Sequence, residues 1–392
     1  MKKITLLVFY FLFFASKAVS LTIEISNPNL RPFKVYVENK NVKDEVIINN
    51  LVNYLAMMPN ILIVDDIDNA DYALNYVKKG NIINLNLKYL KTAESINFEI
   101  KKGLNDEHEA SLKLADMVFE NITQSKGIFS SQVVFSMNWH GVRQIFITDI
   151  FGKKIRKITE NITASVAPKL SPKGDYVVYT RYFKSGGTSL RLINLKNLDD
   201  MPVFSSKGLN VAGSFTEDGK KFFFVSYDGT ISKLISYNLT NSEMEVLYTS
   251  RSRIATPVVT YNKDTIAFVS DELGGPQIFL LNLKNKSIKR ITYKHNYATS
   301  PSFAPPGTHF VYVALVNGVN KVFASSIDGN DFTLLTPIDK SFEDPHWSKN
   351  ERFVFALSSD KNSSSLYLID ISTLRFVKLF TLPAKIGYLY II

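Results

Sequence analysis

The sequence predicts a two-domain α+β protein, in which a small N-terminal α/β domain precedes a six-bladed all-β propeller. Two markers recur along the chain at nearly constant intervals. A short apolar phrase begins, at steps of 45, 44, 44 and 44 residues, at Pro168, Gly213, Pro257, Pro301 and Pro345. A short polar residue recurs at steps of 45, 44, 44, 44 and 44 residues, at Asp149, Asn194, Asn238, Asn282, Ser326 and Asp370. A period in the forties, filled with short strand-like runs, is typical of propeller blades.

The first twenty residues have the pattern of a secretory signal peptide. Lys2 and Lys3 precede an apolar run over residues 4–14, which is too short to span a membrane comfortably. Ala18 and Ser20 place small residues at −3 and −1 of a cleavage site between Ser20 and Leu21. We therefore expect residues 1–20 to be removed and the mature chain to be exported.

Residues 21–126 lack the repeat and are expected to form the α/β domain. A helix is predicted over residues 42–58, because Ile47, Leu51, Leu55 and Met58 recur at helical spacing. A second helix is predicted over residues 106–123, where acidic residues in the first turn favour the helix dipole. Strands are predicted between the two helices, at residues 61–64, 73–77, 82–90 and 96–100.

Residues 127–392 are expected to form the propeller, with four antiparallel strands in each period. The first period has no inner strand before Gln132. One period beyond Pro345 is position 389, which lies in the apolar tail 386–392. We predict that this tail supplies the missing inner strand of the first blade, because ring closure leaves no free sheet edge.

No catalytic motif stands out from the repeat. The chain has no cysteine, which excludes disulfides, thiolate catalysis and Cys-ligated zinc. The net charge of +10 falls to about +7 when Lys2, Lys3 and Lys17 are removed with the signal peptide. The remaining lysines are scattered along the chain rather than clustered, so nucleic acid is not an expected partner. No histidine pair has metal-ligand spacing, and His108 is expected on a solvated helix face.

These observations assign no catalytic residue, no cofactor and no metal ligand. A divalent cation in the central channel stays open as an alternative, because the acid pairs 271–272 and 343–344 are expected in loops at one end of the propeller.

Several segments resemble the TolB family, the periplasmic propeller proteins of the Tol–Pal system of Gram-negative bacteria. The resemblance includes the order of signal peptide, α/β domain and propeller. It is carried by residues 114–123 with 126–129, by residues 270–279 with 290–292, and by the turns 171–175 and 215–220. The chain departs from the family pattern in a short N-terminal domain, in Gly213 where proline is expected, and in its C-terminal ending.

The resemblance implies a binding scaffold rather than an enzyme. Members of the family link TolA to the lipoprotein Pal, maintain outer-membrane integrity and support cell division. A periplasmic protein, peripheral to the membrane and able to meet other envelope proteins, is therefore expected. The Pal-facing mouth, transferred by position to the loops before the inner strands, comprises Leu209, Asn210, Ala212, Arg253, Ala255, Thr256, His295, Asn296, Thr299, Glu343 and Asp344. The TolA-binding segment comprises Leu21, Thr22, Ile23, Glu24, Arg31 and Pro32.

The alternative function is a six-bladed propeller hydrolase or lactonase with a metal in the central channel. It requires several acidic, amide or imidazole side chains to converge on the axis. The inner strands offer Lys169, Val258, Ser302 and His346, which form a poor ligand set. A prolyl-oligopeptidase-like function would require a hydrolase domain that the sequence lacks.

Overall fold

The computed structural model describes residues 30–38, 46–101, 106–261 and 264–392. The signal peptide, the predicted cleavage site and the first four residues of the predicted TolA segment lie outside these residues. The described fold confirms the predicted class, with a small N-terminal α/β region followed by a six-bladed β-propeller.

The N-terminal region contains a five-stranded sheet with the order β2-β1-β3-β4-β5. Strand β1 is parallel to β2 and β3, and the remaining pairs are antiparallel. Strand β1 was not predicted from the sequence. The elements are β1 (Phe33–Val37), α1 (Val46–Ala56), β2 (Ile61–Val64), a single 3₁₀ turn (Ile67–Asn69), β3 (Tyr72–Lys79), β4 (Ile82–Tyr89), β5 (Ser95–Lys101) and α2 (Glu107–Thr123).

The two helices are amphipathic, as their spacing predicts. Helix α1 buries Ile47, Leu51 and Leu55. Helix α2 begins after Asp106, whose carboxylate accepts a hydrogen bond from the backbone N–H of His108 at 3.0 Å. This N-cap satisfies one of the free donors of the first turn, and the acidic residues beside it favour the helix dipole.

Each propeller blade is a four-stranded antiparallel sheet. From the inner to the outer strand, blade one contains β29 (Ile386–Ile391), β6 (Gln132–Trp139), β7 (Val142–Asp149) and β8 (Arg156–Lys157), and blade two contains β9 (Ser165–Leu170), β10 (Tyr176–Tyr182), β11 (Thr188–Asn194) and β12 (Asp200–Ser206). Blade three contains β13 (Leu209–Phe215), β14 (Lys221–Tyr227), β15 (Ser232–Asn238) and β16 (Met244–Ser250), and blade four contains β17 (Ile254–Val259), β18 (Thr265–Ser270), β19 (Gln277–Asn282) and β20 (Ile288–Arg290). Blade five contains β21 (Ala298–Phe303), β22 (His309–Val316), β23 (Val319–Ser326) and β24 (Phe332–Leu334), and blade six contains β25 (Glu343–Trp347), β26 (Phe353–Ser359), β27 (Ser364–Asp370) and β28 (Phe376–Leu382).

The C-terminal strand closes the ring. Strand β29 pairs antiparallel with β6, and Gln132 and Ile392 exchange backbone hydrogen bonds of 3.1 and 3.2 Å at the end of the pair. Ile386, Leu389 and Ile391 of β29 are buried. The pairing is the one that the repeat spacing predicts.

The polar marker of the repeat ends the third strand of every blade. In five blades its side-chain oxygen accepts the N–H of the residue two positions later, at 2.7 to 3.0 Å. In the fifth blade Ser326 instead accepts the N–H of Asp331 at 3.1 Å. Asp, Asn and Ser favour such turns because a short polar side chain can replace a backbone acceptor. The marker therefore recurs because each blade needs the same turn.

Every inner strand also contains a β-bulge where its pairing register shifts. In five blades a non-glycine residue in this bulge has a φ between 43° and 55°, a left-handed conformation that costs about 1–2 kcal/mol for an L-residue. These five residues are Ala167, Thr256, Ser300, Asp344 and Tyr388. In blade three the equivalent turn contains Gly213, where a Cβ atom would lie 2.7 Å from the carbonyl oxygen of Pro257.

The N-terminal region shares a continuous apolar core with the first and last blades. The ring of Phe119 contacts those of Phe129 and Phe353, with centroids 5.6 and 6.1 Å apart. On the same helix the Asp116 carboxylate accepts the N–H groups of Phe129 at 2.7 Å and Ser130 at 3.1 Å. The segment after α2 is thus fixed to that helix by charge-assisted hydrogen bonds.

His108 lies in this interface, so its predicted position on a solvated helix face is wrong. Its Nδ1 lies 2.7 Å from the Tyr54 hydroxyl and its Nε2 lies 2.9 Å from a carboxylate oxygen of Asp149. Helical periodicity could not reveal this contact, because Asp149 belongs to the first blade. The first polar marker of the repeat therefore also holds the N-terminal region against the propeller.

Candidate functional site: the propeller channel and its two ends

The inner strands surround a central cavity of about 650 Å³. Each inner strand contributes one side chain at the same level, two residues beyond its bulge. These six residues are Lys169, Ser214, Val258, Ser302, His346 and Tyr390. At this central level of the channel, the six side chains provide one ammonium, one imidazole, three hydroxyl groups and one apolar group.

Lys169, His346 and Tyr390 form a cluster on one side of the channel. The Lys169 ammonium lies 4.7 Å from the centroid of the Tyr390 ring, and the His346 ring meets the same tyrosine edge-on at 4.7 Å. Burial lowers the pKa of Lys169, while the Asp344 carboxylate acts in the opposite direction. Burial, with the Lys169 charge second, lowers the pKa of His346 to about 3. The imidazole is consequently neutral over the physiological pH range.

The depressed His346 pKa predicts a loss of stability in acid. Above pH 6.5, which is about the pKa of the imidazole in the unfolded chain, the imidazole is neutral in the folded and unfolded states and contributes nothing to the pH dependence of stability. Below it, the unfolded chain binds a proton that the folded chain does not, so stability falls as pH falls. At pH 5 the loss is expected to be about 2 kcal/mol. Replacing His346 by Asn should remove this loss of stability between pH 7 and pH 5, as measured by urea unfolding at the two pH values.

His140 provides the control for this measurement, because its side chain is exposed and no channel group surrounds it. The His140→Asn variant should keep the acid sensitivity of the parent chain. Equal losses between pH 7 and pH 5 in the parent and in His346→Asn would contradict the prediction.

The two ends of the channel differ in what lies against them. The turns 149–154 and 348–353 contact the N-terminal region, since Lys153 Nζ donates to the Tyr54 hydroxyl at 3.0 Å and Asn350 Nδ2 donates to the carbonyl of Lys126 at 2.9 Å. We call this the junction end. Because strands alternate in direction, the connections between blades lie at the opposite end, which we call the far end. The predicted Pal-facing residues lie at or near the far end.

Most of these residues lie in strands rather than in the preceding loops. Strands β13, β17, β21 and β25 begin earlier than predicted from the sequence and include eight of the eleven. Only Arg253, His295 and Asn296 precede an inner strand. The inner strands extend because their early residues pair with the second strand before the bulge interrupts the ladder.

Asn210 and Ala212 are buried, which corrects their predicted position on an accessible rim. The Asn210 side-chain amide donates to the carbonyl of Thr188 at 2.7 Å, and its backbone carbonyl accepts hydrogen bonds from Thr180 and Thr188 hydroxyl groups. Asn210 therefore joins blades two and three. A buried amide with these partners has a structural role.

The other predicted residues reach the surface to different extents. Leu209, Arg253, Ala255, Asn296 and Glu343 are exposed, and Glu343 accepts a hydrogen bond from Asn320 Nδ2 at 3.1 Å. A second set is half-buried: Thr256, His295, Thr299 and Asp344.

Two residues of the half-buried set have defined partners. His295 packs on the Phe323 ring at 4.4 Å, and burial lowers its pKa. The Asp344 carboxylate accepts the N–H of Leu389 at 3.0 Å, while burial raises its pKa.

Tyr388 is a further residue near this end that was not identified from the sequence. It follows Asp344 by one period, it occupies the bulge position of β29, and its side chain is exposed. The same counting that identifies the closing strand could have found it.

The two described residues of the predicted TolA segment lie just before β1. Arg31 Nη2 donates to Asp71 at 3.0 Å, and the other carboxylate oxygen of Asp71 accepts the N–H of Lys34 at 3.0 Å. Arg31 remains mostly exposed. Its ion pair fixes the start of β1 to the segment before β3.

Within the described ranges, no group of three His, Asp or Glu side chains is arranged to hold a metal ion. In the same ranges, no helix is both long and apolar enough to cross a membrane.

Comparison with known proteins identifies related chains. Residues 119–385 match the family described as the TolB beta propeller domain. A Tol-Pal system protein TolB from Desulfotalea psychrophila is 28% identical over 157 residues, which are 38% of this chain and 36% of that protein. One from Bordetella pertussis is 27% identical over 280 residues, which are 60% of this chain and 64% of that protein. The matches thus span less than two thirds of these relatives.

A solved structure extends the likeness to both regions. The crystal structure of TolB from Acinetobacter baumannii superposes with a TM-score of 0.80 at 17% identity, and covers 93% of this chain and 97% of that one. At this identity the likeness establishes the fold alone.

Proposed function

Because the chain belongs to the TolB beta propeller family, we propose that it is a non-catalytic, periplasmic scaffold of the Tol–Pal system. In this proposal it binds Pal at the far end of the channel and TolA through residues 21–32. By linking the two it maintains outer-membrane integrity and supports cell division. The curated relatives named above carry the Tol-Pal system in their names, which supports the assignment of the pathway.

The observation that carries the proposal is the separation of the two ends. The N-terminal region packs on the junction end, whereas the far end presents exposed side chains from several blades, of which Tyr388 also lines the cavity. Apolar Leu209 and Tyr388, cationic Arg253 and the amide of Asn296 are spread around this end. A concave surface with such mixed chemistry suits a small folded domain.

The channel chemistry also favours a scaffold over a hydrolase. The single imidazole at the central level lies beside the Lys169 ammonium, whose positive charge repels a metal cation. The carboxylate of Asp344 already accepts a backbone hydrogen bond. This donor set does not resemble the several oxygen ligands that a hard divalent cation prefers.

The test is a direct binding measurement with the Pal lipoprotein of the same organism, using purified chains and isothermal titration calorimetry. Replacing Arg253 and Asn296 together by Ala is expected to weaken binding by about tenfold, as loss of an exposed arginine anchor does. Both side chains are exposed, so the fold should be kept.

The matched control is Lys220→Ala, which removes an exposed cation from a turn at the junction end of blade three. It should leave the Pal affinity unchanged. The proposal fails if the folded parent chain does not bind Pal, or if the Lys220 variant loses as much affinity as the rim variant.

A further inference from the structure

Four lysines line the cavity from its middle to its junction end. Lys169 is half-buried, and the other three are exposed. Lys169 extends from the inner strand of blade two, Lys173 and Lys349 lie in turns of blades two and six, and Lys126 ends the segment after α2. A second cavity of about 350 Å³ adjoins the first and shares Lys173 and Lys349 as lining residues. The lysines therefore lie along two adjoining cavities, the second of which reaches helix α2 at Asp116.

None of these four ammonium groups makes a salt bridge or hydrogen bond with the described part of the chain. The Lys169 ammonium lies over the face of the Tyr390 ring. Burial lowers the pKa of Lys349, and the Lys126 charge lowers it further, so these two cations repel each other. Neighbouring like charges repel each other, and a bound counter-charge would relieve that repulsion.

The carboxylates that line the two cavities are fewer than the lysines. Asp116 lines the second cavity, and both of its oxygens accept backbone N–H groups. Asp344 accepts the N–H of Leu389, and its charge offsets part of the Lys169 charge. Glu217 is the remaining carboxylate on the cavity wall, so four cations face two carboxylates in the first cavity, Glu217 and Asp344.

We propose that this lysine-lined space binds a small free oxyanion carrying two or more negative charges, in the form of phosphate or clustered carboxylate groups. The first cavity lies within the size range of small-molecule sites, about 300–1,000 Å³. Several lysines around a partly enclosed space attract a multivalent anion more strongly than a monovalent one, because the Coulomb energies add. The lysines lie in the middle and at the junction end of this cavity, and the proposal does not depend on the Tol–Pal assignment.

Isothermal titration calorimetry of the purified chain at low salt tests the proposal, with pyrophosphate and citrate as probes and chloride as the monovalent reference. One saturable site is expected for pyrophosphate, citrate or both, and none for chloride. The two probes separate phosphate from carboxylate chemistry. Replacing Lys169, Lys173 and Lys349 together by Gln should weaken binding by at least about tenfold.

The control variant carries Gln at Lys207, Lys220 and Lys361, which are exposed and lie elsewhere on the propeller. It removes the same formal charge and should bind the probe within about twofold of the parent. Without a probe, the site variant should unfold at the same or a higher urea concentration than the parent, because its unpaired charges are gone. If the triple variant does not fold, Lys349→Gln alone should still weaken binding by about threefold.

Two results would overturn the proposal. One is the absence of saturable binding for both probes to the folded parent chain. The other is an equal loss of affinity in the site and control variants, which would show that net charge alone attracts the anion. Either result leaves the Pal-binding proposal unaffected, since no partner protein is present.

Discussion

Removing residues 386–392 is expected to prevent the propeller from forming a stable monomer. The deletion takes away the inner strand of the first blade, together with buried Ile386, Leu389 and Ile391. Burial of three such side chains contributes about 5–9 kcal/mol, at about 1.5–3 kcal/mol each. The net stability of a folded protein is about 5–15 kcal/mol. The truncated chain should therefore be largely unfolded or associated.

The loss is increased by the edge that the deletion creates. Strand β6 would then expose the backbone groups that now pair with β29, and unpaired edges of this kind promote association. Thermal unfolding followed by circular dichroism, together with size-exclusion chromatography, should show loss of the cooperative transition and larger species. Adding a synthetic peptide of residues 386–392 should restore part of the folded signal.

Tyr388→Ala serves as the control, because it keeps the strand and removes only an exposed side chain at the bulge. Its melting temperature should stay close to that of the parent. A truncated chain that unfolds cooperatively within a few degrees of the parent would show that β29 is dispensable.

Replacing Asp370 by Ala is expected to cause the second largest loss, about 3 kcal/mol of unfolding free energy. Asp370 is fully buried at the end of β27. It accepts hydrogen bonds from Arg352 at 2.8 and 3.2 Å and from the N–H of Ser372 at 3.0 Å. Its removal leaves the mostly buried Arg352 guanidinium without this carboxylate, and an uncompensated charge of this kind is strongly destabilising.

The repeat supplies a matched control for this prediction. Asn194 occupies the same marker position in blade two and accepts the equivalent N–H, from Lys196, at 2.9 Å. No arginine depends on it among the described contacts. Asn194→Ala should lose only the hydrogen bond of the turn, about 1 kcal/mol. Similar urea midpoints for the two variants would contradict the role given to the Arg352 pair.

The periodicity made most of the fold predictable. A fixed step between blades allows the position of each strand to be counted, and this count identified β29 at the C-terminal end of the chain. The helices were predictable because α1 and α2 show apolar residues at helical spacing. Strand β1 lies outside the repeat, and the alternation of Phe33, Val35 and Val37 is the signal that could have found it.

The candidate site was less predictable, because burial depends on contacts between blades. Asn210 looks like a loop residue in the sequence, yet its amide bonds to Thr188 of the neighbouring blade. His108 has the spacing of an exposed helix residue, yet it meets Asp149 of the propeller. Both contacts join residues that are distant in sequence, and neither the helical period nor the blade period encodes them.

The bulge in each inner strand has a consequence for how the channel wall can diversify. The inner strand pairs with the second strand before and after the bulge, but the bulge residue itself has no partner in this pairing. Strand pairing therefore does not constrain the side chain of the bulge residue. Five blades carry five different residues there: Ala167, Thr256, Ser300, Asp344 and Tyr388. The scaffold thus accepts apolar, hydroxyl, acidic and aromatic groups at one geometric position. Recognition chemistry can change one blade at a time while the architecture that presents it stays the same.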